Sequence, residues 1–149
     1  MSPDRQRPVV AEVAGDGPPL VLLHGLAGSA RWWSKNIPVF AEEFRVIALD
    51  LPGFGDSHPG SGFDLHEAAT ELGREMDRLG VGRASYIGHS MGALVASGLA
   101  ADFPDRVARL VLVDAAVFSF HRGTLRRALG AVGILRSVPL SFFPTLVRD

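Results

Sequence analysis

The sequence contains no cysteine, and this absence removes several kinds of chemistry at once. Disulfide scaffolds, thiolate metal sites and cysteine nucleophiles all require that residue. An excess of charge of one sign is also missing, since 15 lysines and arginines stand against 16 aspartates and glutamates. A nucleic-acid-binding domain would present a basic face. We therefore expect no nucleic-acid partner.

Long hydrophobic runs are missing as well. No stretch of about 18 apolar residues occurs, so we expect no membrane span. The first residues, M-S-P-D-R-Q-R-P, carry charges with no apolar run behind them, which is not typical of a signal peptide. With 47% hydrophobic and 21% charged residues over 149 positions, the composition is typical of one globular domain. We expect it to be cytoplasmic.

Short apolar segments alternate along the chain with segments of helical character. This alternation predicts right-handed βαβ units, and hence an α/β fold with a mostly parallel sheet and helices on both faces. The predicted helices are Ala30–Phe40, Asp64–Leu79 and Met91–Phe103. The predicted strands are Val9–Ala14, Leu20–Leu23, Phe44–Leu49, Ala84–Gly88 and Val107–Val113.

The segment Y-I-G-H-S-M-G-A-L places a serine between two glycines, after an apolar strand and before a predicted helix. Its centre, Gly88-His89-Ser90-Met91-Gly92, fits G-x-S-x-G in the strand–turn–helix context that this pattern requires. We expect a strained backbone at Ser90 and a hydroxyl held out at the carboxyl end of the sheet. The N terminus of the following helix would favour negative charge there. The alternative is an ordinary strand–helix turn.

A second glycine-containing loop, His24-Gly25-Leu26, also follows a predicted buried strand directly. Glycine lets the backbone approach a ligand closely. A backbone N–H from this loop, together with that of Met91, would hold the oxyanion formed when a serine attacks a carbonyl group. The alternative is a glycine turn with a structural role alone.

Four stretches in sequence order carry a resemblance to a known family. V-L-L-H-G-L-A-G-S, V-I-A-L-D-L-P-G-F-G-D-S, Y-I-G-H-S-M-G-A-L and L-V-L-V-D-A-A together resemble the lipase- and esterase-like branch of the α/β-hydrolase fold family. The resemblance covers Leu20 to about Ala116. It implies that Ser90 is the nucleophile and that the amides of Leu26 and Met91 form the oxyanion hole.

The same resemblance sets further expectations about the site. His24 and His89 are implied to be structural neighbours rather than bases. Relatives with an aspartate at the nucleophile position include haloalkane dehalogenases and epoxide hydrolases, so Ser90 argues against both activities. In this family the triad follows the chain order serine, acid, histidine. We keep His121 as a candidate base, and Asp114, after the strand Val107–Val113, as a candidate acid; the alternative for Asp114 is a bond to nearby backbone.

The resemblance implies that the chain corresponds to the first half to two-thirds of a hydrolase, before its last core strands. Residues 1–116 would form the N-terminal part of the core, and residues 117–149 would begin a helical lid. A membrane-surface helix is the alternative for the second segment. In the family's strand order Val107–Val113 would become an apolar edge strand, which invites self-association.

Two other motifs are incomplete. Gly53-Phe54-Gly55 begins like a dinucleotide-binding loop but ends in His58, and His66-Glu67 lacks the second histidine of a zinc-protease helix. We therefore expect no cofactor and no metal. The sequence favours a serine hydrolase that acts on an ester or related acyl bond of a small molecule, weakly active or inactive as this chain. The alternatives are an acyltransferase on the same fold and a non-catalytic fragment that works by association.

Overall fold

A five-stranded sheet forms the centre of the protein. The structure, a computed structural model, describes residues 8–57 and 63–115. The strands run in the spatial order β1-β3-β2-β4-β5; β1 is antiparallel to β3, and the other neighbours are parallel. This confirms the predicted α/β fold with a mostly parallel sheet. The strands are β1 Val9–Ala14, β2 Pro19–Leu23, β3 Arg45–Asp50, β4 Ala84–His89 and β5 Val107–Val113.

Helices cover both faces of this sheet. They are α1 Ile37–Phe40, α2 Leu65–Arg78 and α3 Met91–Asp102, with 3₁₀ turns at Ala30–Trp33 and Pro104–Arg106. None of the helices within residues 8–57 and 63–115 is long and apolar enough to cross a membrane. Residues 117–149, the predicted start of a lid, lie outside the described residues, so the division of the chain after residue 116 stays a prediction.

The central strands are apolar on both sides because two separate clusters pack against them. Successive residues of a strand point to opposite faces of the sheet. Val21 and Ile47 therefore join α2 and α3 in one cluster, whereas Leu22 and Val46 join Ile37 of α1 in the other. This two-sided burial explains why β2 and β3 are continuous apolar runs instead of alternating ones.

Helix α2 has a defined start and one buried side. The carboxylate of Asp64 accepts a hydrogen bond from the N–H of Glu67 at 2.8 Å, which caps the first turn. The residues on its buried side are Ala68, Ala69, Leu72, Gly73 and Met76. Helix α2 packs on α3, so it supports the helix that follows Ser90.

The predicted helix over Ala30–Phe40 is wrong in one respect, because the structure divides it into a 3₁₀ turn and the short helix α1. Pro38 is the cause. A continuous helix would need an N–H at Pro38 to bond the carbonyl of Ser34, and the proline ring would meet that carbonyl. Proline is accepted in the first turn of a new helix, and Pro38 lies there in α1.

Strand β5 lies at one edge of the described sheet. It pairs with β4 on one side, in register from Ala84–Val107 to His89–Val113. Its apolar side chains are partly exposed: Val111 and Leu112 are 49% and 46% exposed. An apolar edge strand with free backbone groups is a template for pairing with another chain.

We expect the 149-residue chain to associate through β5. Changing Val111 to Lys places a charge on the edge strand and should weaken association about tenfold, or ~1.4 kcal/mol. Sedimentation velocity over a range of protein concentrations measures the effect. Val39→Lys is the matched control, since Val39 is 63% exposed but lies on α1. Equal weakening by both changes, or a wild-type chain that stays monomeric, would contradict this expectation.

Candidate active site

Ser90 is the single residue between β4, which ends at His89, and α3, which begins at Met91. Its backbone dihedrals are φ 51° and ψ −110°. A positive φ is rare for a residue with a side chain, and this conformation costs on the order of 1–3 kcal/mol. The Ser90 N–H donates to the carbonyl of Val113 at 2.9 Å. The strained strand–helix turn expected from the sequence is present.

The two glycines of the G-x-S-x-G pattern are required by close backbone contacts. A Cβ added at Gly88 would lie 2.5 Å from the carbonyl oxygen of Gly92. A Cβ added at Gly92 would lie 2.5 Å and 2.6 Å from the carbonyl oxygens of Leu23 and His24. The start of α3 therefore sits directly on the carboxyl ends of β4 and β2, and only glycine fits at either contact.

The loop after β2 lies against the same turn. A Cβ added at Gly25 would be 3.3 Å from the Cβ of Ser90 and 2.8 Å from Nδ1 of His89. The loop then turns tightly, because the N–H of Gly28 donates to the carbonyl of Gly25 at 3.1 Å and Ala27 has φ 59°. The structure thus brings the segment carrying Leu26 beside Ser90.

Met91, whose N–H is the second predicted oxyanion donor, lies in the first turn of α3. The first N–H groups of an α-helix have no partner within the helix, and the N terminus carries partial positive charge. The Ser90 side chain does not cap this helix end. Helix capping therefore uses neither the amide of Met91 nor the hydroxyl of Ser90.

His24 is a polar site residue whose contacts the sequence did not predict. It is fully buried, and its Nε2 accepts a hydrogen bond from the N–H of Leu51 at 3.0 Å. Its Nδ1 lies 2.7 Å from the carbonyl oxygen of Gly25. Burial lowers the pKa of His24, against the opposing effects of the Gly25 carbonyl and the Asp50 carboxylate. The ring is therefore neutral at neutral pH and ties two loops together.

Asp50 is a second buried polar residue that the sequence analysis missed. It is 3% exposed at the end of β3. One carboxylate oxygen accepts the N–H of Ala30 at 2.7 Å, and the other accepts the N–H of Asp56 at 2.8 Å. Like His24, it connects the loop after β2 to the loop after β3. Its position directly after an apolar strand was the available signal.

His89 and Asp114 lie together at the carboxyl ends of β4 and β5. Nε2 of His89 is 3.9 Å from a carboxylate oxygen of Asp114, whose side chain is 86% exposed. The ring also meets Trp32 edge to face at 5.8 Å. Nδ1 of His89 is buried and has no hydrogen-bond partner among the described residues. Asp114 thus shares this end of the sheet with Ser90, which bonds the preceding Val113.

No histidine within the described ranges is hydrogen-bonded to the Ser90 hydroxyl. The His24 ring is held by Gly25 and Leu51. His66 is on the surface, where its Nδ1 lies 3.1 Å from Asp102. His89 faces Asp114, as described above. The candidate base His121 lies outside the described residues.

A cavity of about 210 Å³ opens at the same end of the sheet. Its lining is mainly apolar. The lining residues are Trp32, Trp33, Asn36, His89 and Val113.

The sequence profile of the α/β hydrolase fold matches residues 18–146, which is most of the chain. The chain belongs to the α/β hydrolase fold family. This membership confirms the resemblance drawn from the four sequence stretches. It also accounts for the order of strands and helices around Ser90.

Several curated members of the family are similar to this chain. A soluble epoxide hydrolase of Corynebacterium sp. (strain C12) is 46% identical over 68% of this chain and 36% of the relative. The dihydrolipoyllysine-residue acetyltransferase component of the acetoin cleaving system of Pseudomonas putida is 43% identical over 70% and 29%. The pimeloyl-[acyl-carrier protein] methyl ester esterase of Vibrio atlanticus (strain LGP32) is 39% identical over 68% and 38%. The matched part of the chain thus spans about a third of the length of these relatives.

We expect Gly92→Ala to destabilise the hydrolase fold by about 1–3 kcal/mol, because the added methyl group meets two carbonyl oxygens. Urea unfolding followed by circular dichroism measures the free energy of unfolding. Gly82→Ala is the control, since a Cβ at Gly82 meets nothing within 4 Å. Similar stability of the two variants would show that the helix start tolerates a side chain.

We expect acidification to destabilise the folded chain through His24. Its pKa is held below the ordinary value of 6.5 by burial, so the unfolded chain takes up a proton at a higher pH than the folded chain. Between those two pH values the unfolded state binds more protons, and the free energy of unfolding falls as the pH falls. Urea unfolding at about pH 7.5 and about pH 5.5, on either side of the ordinary histidine pKa, measures the decrease. His24→Asn should show a smaller decrease, and equal decreases would contradict this account.

Proposed function

We propose that this chain carries the nucleophile and the oxyanion hole of a serine hydrolase that cleaves an ester or related acyl bond. The observation that carries the proposal is the position of Ser90. Its hydroxyl stands on a strained single-residue turn, at the N terminus of α3 and beside the glycine loop after β2. This is the structural context in which the serine of a G-x-S-x-G motif acts as a nucleophile.

The proposed reaction has two acyl-transfer steps. Ser90 Oγ attacks the carbonyl carbon of the substrate, and its proton passes to a base. The N–H groups of Leu26 and Met91 donate to the oxyanion of the tetrahedral intermediate, and each such donor contributes about 10²–10³-fold in rate. The intermediate collapses to an acyl-serine as the alcohol leaves with a proton. Water then attacks the acyl-serine and releases the acid.

The base and the acid are the less defined part of the proposal. Asp114 is supported as the acid by its place at the carboxyl end of β5, next to the residue that bonds Ser90. His121 is kept as a candidate base on its place in the sequence alone. No described histidine is bonded to Ser90, and losing a triad member costs up to about 10⁶-fold in turnover in serine proteases. We therefore propose that this chain alone is weakly active.

Acyl substrates are favoured over epoxides by the chemistry of serine. Attack of Ser90 on an epoxide carbon would form an ether, which water does not readily cleave. A carboxylate nucleophile would form an ester in the same step, and water cleaves an ester. The similarity to the Corynebacterium epoxide hydrolase supports the fold, whereas the serine supports an acyl bond. The similarity to the Vibrio methyl ester esterase agrees with this choice.

Acyl transfer to an acceptor other than water is the second candidate. It is favoured by the 43% identity to an acetyltransferase component of Pseudomonas putida. The acyl-serine and the oxyanion hole would be the same, and only the second nucleophile would differ. Analysis of products with added thiol or alcohol acceptors would separate transfer from hydrolysis.

We expect a fluorophosphonate probe to label Ser90 slowly in the purified 149-residue chain. The probe reports a reactive serine, and slow labelling follows if the base is incomplete. Mass spectrometry of the labelled peptide measures the site and rate. Ser90→Ala should abolish labelling. Ser97→Ala should retain it, because Ser97 lies within α3 and its hydroxyl donates to the carbonyl of Ala93.

The remaining outcomes separate the parts of this proposal. Folded protein that is not labelled at Ser90, even at long times, would contradict the serine hydrolase. Asp114→Asn should slow labelling if Asp114 orients a base, whereas Asp105→Asn, in the 3₁₀ turn before β5, should not. Equal rates in these two variants would remove Asp114 from the proposed acid role.

A further inference from the structure

The ring of His24 is fixed by two backbone groups from different loops. Leu51 donates its N–H to Nε2 at 3.0 Å, and the carbonyl oxygen of Gly25 lies 2.7 Å from Nδ1. The rings of His24 and Phe54 form a T-shaped pair, with centroids 5.8 Å apart and an interplanar angle of 72°. The side chain is fully buried. These contacts leave the ring one position and one orientation.

The two hydrogen bonds together determine the protonation state of His24. Because an N–H donates to Nε2, that nitrogen carries a lone pair and no proton. Nδ1 must then carry the single proton, which it donates to the carbonyl of Gly25. A second proton on Nε2 would face the N–H of Leu51 and remove that bond. Only the neutral ring protonated at Nδ1 satisfies both partners.

The carbonyl that receives the His24 proton belongs to the same peptide group as the N–H of Leu26. A trans peptide is planar, and its C=O and N–H point to opposite sides. No peptide bond among the described residues is cis. The Gly25 carbonyl also accepts the N–H of Gly28 at 3.1 Å. Two donors therefore fix the peptide plane from its carbonyl side, and this fixes the direction of the Leu26 N–H.

The orientation of this peptide matters because it borders Ser90. The position of a Cβ on Gly25 is 3.3 Å from the Cβ of Ser90. Glycine on one side of the peptide allows the plane to rotate if nothing holds it. Such a rotation would turn the Leu26 N–H away from an oxyanion at Ser90.

We propose that His24 is a positioning residue, whose Nδ1-protonated ring holds the Gly25–Leu26 peptide with its N–H directed at the oxyanion formed on Ser90. This inference rests on the proposed serine hydrolase for its chemical purpose. The positioning itself is a property of the ground state and is measurable without any reaction. The carboxylate of Asp50, the last residue of β3, interacts electrostatically with the ring.

Two substitutions separate the Gly25 contact from the Leu51 contact. In His24→Asn, the side-chain NH₂ takes the place of Nδ1 and still donates to the Gly25 carbonyl, while the bond from Leu51 is lost. In His24→Leu both bonds are lost at similar apolar volume. Long-range ¹H–¹⁵N spectra of the chain labelled at histidine report which ring nitrogen carries the proton. Amide spectra report the environment of the Leu26 N–H.

The expected result has three parts. The His24 ring is protonated at Nδ1 only, and the Leu26 amide resonance moves in His24→Leu but returns close to its wild-type position in His24→Asn. The rate of fluorophosphonate labelling at Ser90 falls about 10- to 100-fold in His24→Leu, below the full loss of an oxyanion donor, and stays within about threefold in His24→Asn. Circular dichroism checks that each variant is folded.

Failure of this inference is distinguishable from failure of the proposed function. A His24 ring protonated at Nε2, or a Leu26 resonance that shifts equally in both variants, would overturn the positioning role even if Ser90 is labelled. If wild-type Ser90 is not labelled but the spectra are as expected, the proposed serine hydrolase is overturned. The positioning of the Gly25–Leu26 peptide by His24 would still hold. If His24→Leu does not fold, the ring proton and the Asn variant still decide the question.

Discussion

The single-residue turn at Ser90 is the constraint on which the surrounding structure depends. A chain that passes from strand to helix in one residue brings the helix start onto the strand ends, so Gly88 and Gly92 meet backbone atoms where any side chain would collide. The strained conformation of Ser90, on the order of 1–3 kcal/mol, persists because the surrounding packing holds it. Val95, Ala96 and Leu99 supply that packing from α3.

Buried hydrogen bonds provide a second level of organisation around this turn. His24 and Asp50 sit at the ends of neighbouring strands, and each joins the loop after β2 to the loop after β3. Leaving a buried polar group without a hydrogen-bond partner costs free energy. The hydrogen bonds of His24 and Asp50 therefore stabilise the positions of both loops. The loop that carries Leu26 is therefore fixed by side chains that do not belong to the reacting groups.

The strands were predictable from the sequence to within about one residue because β2 and β3 are buried on both faces and are therefore continuous apolar runs. The turn at Ser90 was predictable because its motif is local. The division of Ala30–Phe40 was missed although Pro38 gave the signal. The ties made by His24 and Asp50 were not predictable, because they join residues 27 and 20 positions apart that meet only after the sheet has formed.

Placement of the proposed nucleophile, Ser90, and its activation are separable properties. Placement needs β2, β4, α3 and the loop after β2, which all lie within the described residues. Activation needs a proton acceptor at the Ser90 hydroxyl, and no histidine among the described residues is hydrogen-bonded to that hydroxyl. Since a serine hydroxyl is a weak nucleophile without a base, correct geometry at Ser90 does not by itself determine a rate. The proposed oxyanion donors, the N–H groups of Leu26 and Met91, can therefore be tested through the ground-state structure, independently of the residue that accepts the proton.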